Sequence, residues 1–297
     1  MTARFRRERV LIIGCGDVGQ RVVQQLSRAV RVLALTSSPQ RISALRAQGI
    51  TPLSGNLDDS RSLLRLSGLA TRVLHLAPPP SEGNGDPRTR NLLRALQLRG
   101  TPRALVYAST TGVYGDCHGA VVDETRALSA TTSRAQRRVD AEASVRLLGR
   151  RTSRVRTNIL RIPGIYAPNR EGGTPEARLR KGTPVLDRAD DVFTNHIHAD
   201  DLARACVKAL WCGQPQRIYN VSDNSAMRMG DYFDVAADLY GLPRPPRVPR
   251  NAAQGQLSLM LLSFMSESRR MDNTRMKTEL RLRLRYPTVI TGLVANK

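Results

Sequence analysis

The stretch VLIIGCGDVGQRVVQQL, residues 10–26, decides the fold class of this chain. Four apolar residues lead into three glycines spaced as G-x-G-x-x-G, and an amphipathic stretch typical of a helix follows. In such a motif the first glycine permits a tight turn, the second lets a pyrophosphate approach the backbone, and the third allows close helix packing. The N-terminus of the helix also favours a negatively charged ligand. This context predicts a dinucleotide site that includes Gly14, Gly16, Asp17, Val18 and Gly19.

The same alternation of apolar and amphipathic stretches continues along the chain. Strands are predicted in VRVLALT, RVLHLAP, RALVYAST and RVRTNILRIPGIY, and helices in PQRISALRAQG, RTRNLLRALQLRG and the arginine-rich TTSRAQRRVDAE. This order predicts an α/β fold, a doubly wound parallel sheet of the Rossmann type with a smaller C-terminal lobe that faces the substrate. We assign residues 1–162 to the NAD(P)-binding Rossmann domain, with residues 195–222 returning to it. Residues 163–194 and 223–297 form the predicted substrate-binding lobe.

Two other stretches carry a structural prediction. Residues 78–87, PPPSEGNGDP, are rich in turn-forming residues and predict a loop that closes over a bound ligand. Residues 279–287, ELRLRLRYP, alternate leucine and arginine with a period of two. That period predicts a short, half-buried strand near the C-terminus.

The end of the second predicted strand bears on the choice between NAD and NADP. An acidic residue there would hold the ribose hydroxyls and repel a 2′-phosphate, but the sequence reads LALTSSPQR. Thr36, Ser37 and Arg41 therefore favour NADP, with NAD as the alternative because Arg41 can equally be a solvated helix residue. The other predicted cofactor contacts are Asn56 and Leu57 beside the adenine, Ala77 and Pro78 on the opposite side, and Pro163 in the same cleft.

The chain is strongly basic, with a formal net charge of +22 from 47 basic and 25 acidic residues. All but four of the basic residues are arginine. Apart from a short run at Arg4, Arg6, Arg7 and Arg9 the arginines are scattered, and aromatic residues make up only 4% of the chain. Both features argue against a dedicated nucleic-acid-binding surface.

Cysteine and histidine spacing gives no sign of a metal site. The four cysteines are irregularly spaced without a C-x-x-C pair, which is unlike zinc-binding or disulfide frameworks. His196 and His198 would share one face of a strand, but no third ligand lies nearby in the sequence. The apolar run before the glycines is too short for a signal peptide or a membrane span. We therefore expect a cytoplasmic protein that has no metal and does not cross a membrane.

Several more motifs, taken together with the glycine motif, resemble those of one family. They are HLAPP, YASTTGVYGD, LRIPGIYAP, NHIHADDLARA, IYNVSD and the closing YPT. In this combination the chain resembles the extended short-chain dehydrogenase/reductase family, the NAD(P)-dependent epimerases and dehydratases. The resemblance runs nearly from end to end. It implies an NAD(P) cofactor, a small-molecule substrate and a homodimer.

The catalytic residues of that family are only partly present. The resemblance implies a hydroxyl residue together with a tyrosine and a lysine four residues apart. The hydroxyl position corresponds to Thr110, whereas the tyrosine and lysine positions, counted back from Glu142, become Arg134 and Arg138. Arginine stays charged at ordinary pH and cannot relay protons. Tyr114 is the nearest phenol and the candidate substitute donor, and the departure resembles the atypical branch of the family.

Two functions therefore remain open at the level of the sequence. The first is an NAD(P)-dependent oxidoreductase or epimerase-like enzyme that acts on a small hydroxylated or carbonyl substrate, with altered or reduced catalysis. The second is a non-catalytic NAD(P)-binding sensor or regulatory scaffold, which the missing tyrosine would explain.

Overall fold

The computed structural model describes residues 7–294, so Arg4 and Arg6 of the basic N-terminal run lie outside the described residues. The strands, in chain order, are β1 (Arg9–Ile13), β2 (Arg31–Thr36), β3 (Thr51–Ser54), β4 (Arg72–His75), β5 (Ala104–Thr110), β6 (Val121–Val122), β7 (Arg156–Ile162), β8 (Gly164–Tyr166), β9 (Val185–Leu186), β10 (Phe193–Thr194), β11 (His196–His198), β12 (Arg217–Asn220), β13 (Met227–Arg228), β14 (Arg247–Val248) and β15 (Arg270–Met271). The helices are α1 (Asp17–Gln25), α2 (Ile42–Ala47), α3 (Pro87–Gln97), α4 (Ser133–Arg151), α5 (Glu176–Arg180), α6 (Ala199–Cys212), α7 (Met229–Tyr240), α8 (Arg250–Ala253), α9 (Leu259–Phe264), α10 (Thr274–Glu279) and α11 (Val289–Leu293).

A seven-stranded parallel sheet forms the centre of the molecule. Its strand order is β12-β7-β5-β4-β1-β2-β3, and every neighbouring pair runs parallel. The direction of winding reverses between β1 and β4, and ligands of such sheets bind at this switch point, beyond the carboxyl ends of the strands. The predicted doubly wound Rossmann fold is confirmed.

Helices cover both faces of the sheet because alternate residues of each strand point to opposite sides. Val10 and Ile12 of β1 pack in one apolar cluster with residues of α1 and α6. Leu11 and Ile13 pack in a second cluster with residues of α3 and α4. The continuous apolar run of β1 is therefore buried on both faces, as is usual for a strand of a parallel sheet.

A third apolar cluster lies in the C-terminal lobe and combines residues from α5, α7, α11 and the short strands β9 and β14. At Pro163 the stretch predicted as one strand divides into β7 and β8. Strand β8 leaves the central sheet and pairs in parallel with β11.

The prediction of a strand at residues 279–287 is wrong. After α10 the described chain has no regular element up to α11, although Leu280 and Leu282 are buried as the alternation suggested. Arg281 has a φ of 51°, which lies in the left-handed region and interrupts any extended run. Within residues 7–294, no helix combines the length and apolar character that crossing a bilayer requires.

Candidate active site

The turn between β1 and α1 has the geometry that a dinucleotide requires. Gly14 has a φ of +85°, and a Cβ atom there would lie 2.6 Å from the backbone nitrogen of Ala77. A side chain at this position would therefore be both strained and obstructed. At Gly16, by contrast, a Cβ atom would meet nothing within 4 Å, so this glycine borders open space. A pyrophosphate can approach the backbone there.

The start of α1 leaves its amide groups available to a ligand. Gly16 is the N-cap residue, and within residues 7–294 no side chain caps the helix. The Asp17 carboxylate pairs with Arg21 at 3.1 Å and with Arg170 at 3.2 Å, so cations of the protein balance its charge. The unpaired amides and the positive end of the helix dipole fit a diphosphate.

The end of β2 presents hydroxyl groups and one cation. Thr36 is nearly buried, while Ser37 is exposed. Arg41 turns back toward the glycine turn, and its Nη2 donates to the backbone oxygen of Cys15 at 2.5 Å. The guanidinium of Arg41 thus lies beside the dinucleotide turn and is not merely solvated on its helix.

The other predicted cofactor residues surround the same edge of the sheet. Asn56 begins a tight turn, with its Oδ1 accepting from the amide of Asp58 at 3.0 Å, and Leu57 is buried next to it. Ala77 occupies the space that a Cβ atom on Gly14 would enter. Arg88 of α3 binds both carboxylate oxygens of Asp58, at 2.7 and 2.6 Å.

A cavity of about 870 Å³ opens between the carboxyl end of the sheet and the C-terminal lobe. It brings together five of the predicted site residues, which are Pro78, Thr110, Arg134, Arg138 and Pro163. The lobe contributes lining residues that the sequence did not single out for a site, among them Arg178, Tyr232, Phe233, Phe264, Glu267 and Arg269. A cavity of this size suits a small-molecule ligand.

The two arginines at the tyrosine and lysine positions have different surroundings. Arg138 donates to the backbone oxygen of Ala108 at 2.7 Å and to the hydroxyl of Tyr107 at 3.1 Å, so β5 holds it in place. Arg134 is exposed, and its guanidinium lies 4.5 Å from the ring centroid of Phe264. A guanidinium does not serve as a general acid, so neither arginine replaces the tyrosine in that role.

Tyr114 is not placed to donate a proton in this cavity, which corrects the prediction made for it. Its side chain is 1% exposed, and its hydroxyl donates to Oδ1 of Asn220 at 2.7 Å. Burial raises the pKa of Tyr114 to about 12, even though Arg161 lies against its ring. The phenol is a structural group below the strand end. The sequence suggested a position near the site only because Tyr114 follows Thr110 by four residues.

Residues 78–86 of the predicted loop are irregular, whereas Pro87 already begins α3. The loop is fixed at two points to α4. Arg137 donates to the backbone oxygen of Gly83 at 2.6 Å, and Asp140 accepts from the amide of Asp86 at 2.6 Å. The loop therefore forms a wall of the cavity that is attached to the same helix that carries Arg134 and Arg138.

Two further polar residues line the cavity because of the packing of the lobe. They are Arg178, which the sequence did not single out, and His196, which the sequence presented only as a candidate metal ligand. Arg178 of α5 is half-buried with its guanidinium 4.5 Å from the ring of Phe233. His196 is buried against Tyr232, with ring centroids 4.2 Å apart. Burial and the charge of Arg178 lower the pKa of His196 to about 3, so its imidazole is neutral at physiological pH.

The fold and the glycine turn together define a Rossmann-type dinucleotide-binding protein with a second lobe over the strand ends. A family model described as NAD(P)H-binding matches residues 14–211, and the chain belongs to this family. NAD(P) is accordingly its cofactor, and the fold is shared with solved structures of epimerases.

Individual relatives match nearly the whole chain. The protein YeeZ of Escherichia coli K12 is 26% identical over 290 residues, which cover 94% of this chain and 97% of YeeZ. A functionally unknown conserved protein from Silicibacter pomeroyi has a solved structure that matches 96% of each chain at 31% identity, with a TM-score of 0.80. MoeE5, solved with UDP-glucose and NAD, shares the fold at 21% identity over 95% of each chain, with a TM-score of 0.74.

Proposed function

We propose that the chain is an NADP-dependent oxidoreductase or epimerase-like enzyme that acts on a small anionic substrate bearing a hydroxyl or carbonyl group. The observation that carries this proposal is the cavity in which Thr110 of the strand end meets a group of arginines. Bound NADP would supply a hydride acceptor or, when reduced, a hydride donor. The residues of the chain bind and orient the substrate and exchange its proton.

The preference for NADP is supported by the end of β2. Arg41 lies next to the glycine turn, where it can pair with a 2′-phosphate, and residues 36–41 contain no carboxylate that would repel one. Arginine matches a phosphate through two parallel hydrogen bonds, which makes it suited to this contact. Thr36 and Ser37 add hydroxyl groups on the same side.

The anionic character of the substrate is supported by unbalanced charge in the cavity. Within residues 7–294, the guanidinium groups of Arg134 and Arg178 lie against aromatic rings and form no ion pair. Arg137 and Arg138 donate to backbone or phenol oxygens. Four guanidinium groups thus face one cavity without a carboxylate partner in the described part of the chain. A phosphate or carboxylate on the substrate would satisfy them.

The proposal is tested by following NADPH consumption with matched carbonyl compounds. Phosphorylated or carboxylated aldehydes and ketones are expected to react with a higher kcat/KM than their neutral counterparts. Arg178→Gln should lower kcat/KM for the anionic compounds by about tenfold or more, because it removes a charge-assisted contact. Arg180→Gln is the matched control, since Arg180 is exposed on the same helix and pairs with Glu176. Equal rates with neutral and anionic compounds would contradict the proposal.

A non-catalytic NAD(P) sensor is the second candidate. It is favoured by the arginines at both the tyrosine and the lysine positions and by the burial of the Tyr114 phenol. A protein that binds NADPH tightly but oxidises it with no member of the panel would support this function. Clear turnover of any member would exclude it.

A further inference from the structure

The proposed reaction requires a proton acceptor, and the carboxylate of Glu267 lies in the cavity where this group is needed. Among the described residues that line the cavity, Glu267 is the acidic one. We infer that Glu267 is the catalytic residue that takes the proton from the substrate hydroxyl and returns it in the reverse direction. This inference rests on the proposed function and names a group for its proton transfer.

The position of Glu267 is defined by its distance to a point beside Gly112. A Cβ atom built on Gly112 would lie 3.7 Å from Cγ2 of Thr110, 3.8 Å from Cβ of Ala135 and 3.9 Å from Oε2 of Glu267. The carboxylate therefore shares one small space with the hydroxyl residue of the strand end. Ala135 directly follows Arg134, which stands at the tyrosine position. The acid group thus reaches, from the lobe, the start of the helix on which the tyrosine position lies.

The segment that carries Glu267 is firmly held. Ser268 accepts at its backbone oxygen from the amides of Cys117 and Gly119, both at 3.0 Å, and its own amide donates to Asp116 at 2.8 Å. Arg269 donates to the backbone oxygen of Gly115 at 2.6 Å. A side chain on such a fixed segment can hold a substrate group in one geometry.

One oxygen of the carboxylate is fixed by the protein and the other is available. The guanidinium of Arg269 donates to Oε2 of Glu267 at 2.8 Å, and the Glu267 side chain is only 10% exposed. Oε1 makes no hydrogen bond to a described residue, and Glu267 lines the cavity. The ion pair therefore orients the carboxylate and leaves Oε1 free to accept from a substrate hydroxyl.

The chemistry requires a group that can both accept and release a proton, which a carboxylate does and an arginine does not. In the oxidation direction, Glu267 takes the O–H proton while the C–H bond breaks and its electron pair passes as hydride to oxidised NADP. A carbon–oxygen double bond forms in the substrate, and the proton then leaves Glu267 for water. Thr110 would hold the substrate oxygen by a hydrogen bond, as its place at the strand end suggests.

The first test measures NADPH oxidation by the full chain with glyoxylate, glyceraldehyde 3-phosphate and related anionic carbonyl compounds. Glu267→Gln is expected to lower kcat by about 100-fold or more with little change in KM, as for loss of a general acid–base group. Glu267→Asp should retain part of kcat and a dependence of kcat on pH, because it keeps a carboxylate. Glu279→Gln is the control, since it breaks a partly buried ion pair with Arg217 outside the cavity and should leave kcat unchanged.

The outcomes separate this inference from the proposed function. Wild-type turnover with Glu267→Gln retaining at least about a third of kcat would overturn the role of Glu267 alone. A wild-type protein that binds NADPH and turns over no compound would overturn both the enzymatic function and the inference. Loss of kcat in Glu267→Gln with an unchanged melting temperature would support the inference.

A second test does not depend on turnover. Glu267→Cys places a thiol at this position, and its alkylation by iodoacetamide can be followed by peptide mass spectrometry. Cys212 is exposed far along α6 and serves as the internal control. NADPH should slow alkylation at position 267 by about tenfold or more and leave Cys212 unaffected, because a bound nicotinamide would cover the space beside Thr110. Equal alkylation rates at position 267 with and without NADPH would overturn the inference.

Discussion

Glu142 and Arg161 form an ion pair that is enclosed within the protein. Arg161 donates to the two carboxylate oxygens at 2.8 and 3.1 Å, and the side chains of Glu142 and Arg161 are 0% and 2% exposed. The hydroxyl of Ser109 donates to the same carboxylate at 2.6 Å. These bonds join α4 to β5 and β7, whose carboxyl ends border the cavity. The pair therefore fixes the helix that carries the substituted arginines relative to the sheet.

Removing the charge of Glu142 should destabilise the fold. In Glu142→Gln the buried guanidinium of Arg161 loses its counter-charge, which is expected to lower the free energy of unfolding by about 3–5 kcal/mol. Urea denaturation measures this loss. The exposed pair of Glu176 and Arg180 provides the control, and Glu176→Gln should change stability by only about 0.5 kcal/mol. A loss below about 1 kcal/mol in Glu142→Gln would contradict the structural role of the pair.

Two glycines of the first turn should respond differently to alanine. Gly14→Ala is expected to cost about 1–3 kcal/mol or more of stability, because the backbone is left-handed and the new methyl group meets Ala77. Gly16→Ala should change stability by less than about 1 kcal/mol, since its Cβ faces open space. It should nevertheless weaken NADPH binding, because that space is where the pyrophosphate would lie. Thermal melts with and without NADPH separate the two effects, and a Gly16→Ala protein with normal NADPH affinity would refute the proposed cradle.

Arg41 should select the phosphorylated cofactor. Arg41→Ala is expected to weaken NADPH binding by about 10- to 100-fold, the range for loss of a hydrogen bond to a charged group, and to leave NADH binding unchanged. Fluorescence titration of each nucleotide gives the two affinities. Arg46→Ala removes the same charge from an exposed position on α2 and should alter neither. Parallel weakening of both nucleotides by Arg41→Ala would argue against a 2′-phosphate contact.

Asp223 should make stability depend on pH. Burial raises the pKa of Asp223 to about 7, above the value of about 3.9 for an exposed aspartate. Between about pH 4 and pH 7 the native state therefore binds more protons than the unfolded state, so its stability falls as pH rises and then levels off. The contribution of Asp223 to this slope is at most about 1.4 kcal/mol per pH unit.

Urea denaturation of the wild type and of Asp223→Asn across this range isolates the effect. The stability of Asp223→Asn relative to the wild type should increase from pH 4 to pH 7 and stay constant above it. A stability difference between Asp223→Asn and the wild type that does not vary with pH would contradict this prediction, because it would show that the carboxyl group titrates as an exposed one does.

Much of the fold could be predicted from the sequence because strongly apolar strands alternate with amphipathic helices. Strand β3 was not predicted, since its four residues include Pro52 and lie at the half-exposed edge of the sheet, where the apolar pattern is weak. Leucine and arginine alternate at residues 279–287 as in a strand, but this alternation reflects only which side chains are buried. No neighbouring strand pairs with it in the described structure.

The candidate site was predictable where it follows from strand order. Thr110 and Pro163 meet at one cavity because parallel strands end at the same edge, and Arg134 lines it from the start of α4. Glu267 and Arg178 could not be found in this way, since they reach the cavity only through the packing of the lobe. Long-range contacts of this kind leave no local pattern in a single sequence.

Isothermal titration calorimetry of NADPH and NADH with the purified chain tests the central claim most directly. The glycine turn, the open start of α1 and the guanidinium of Arg41 predict saturable binding of one nucleotide per chain, with NADPH bound more tightly than NADH. Well-folded protein that binds neither nucleotide would contradict the account.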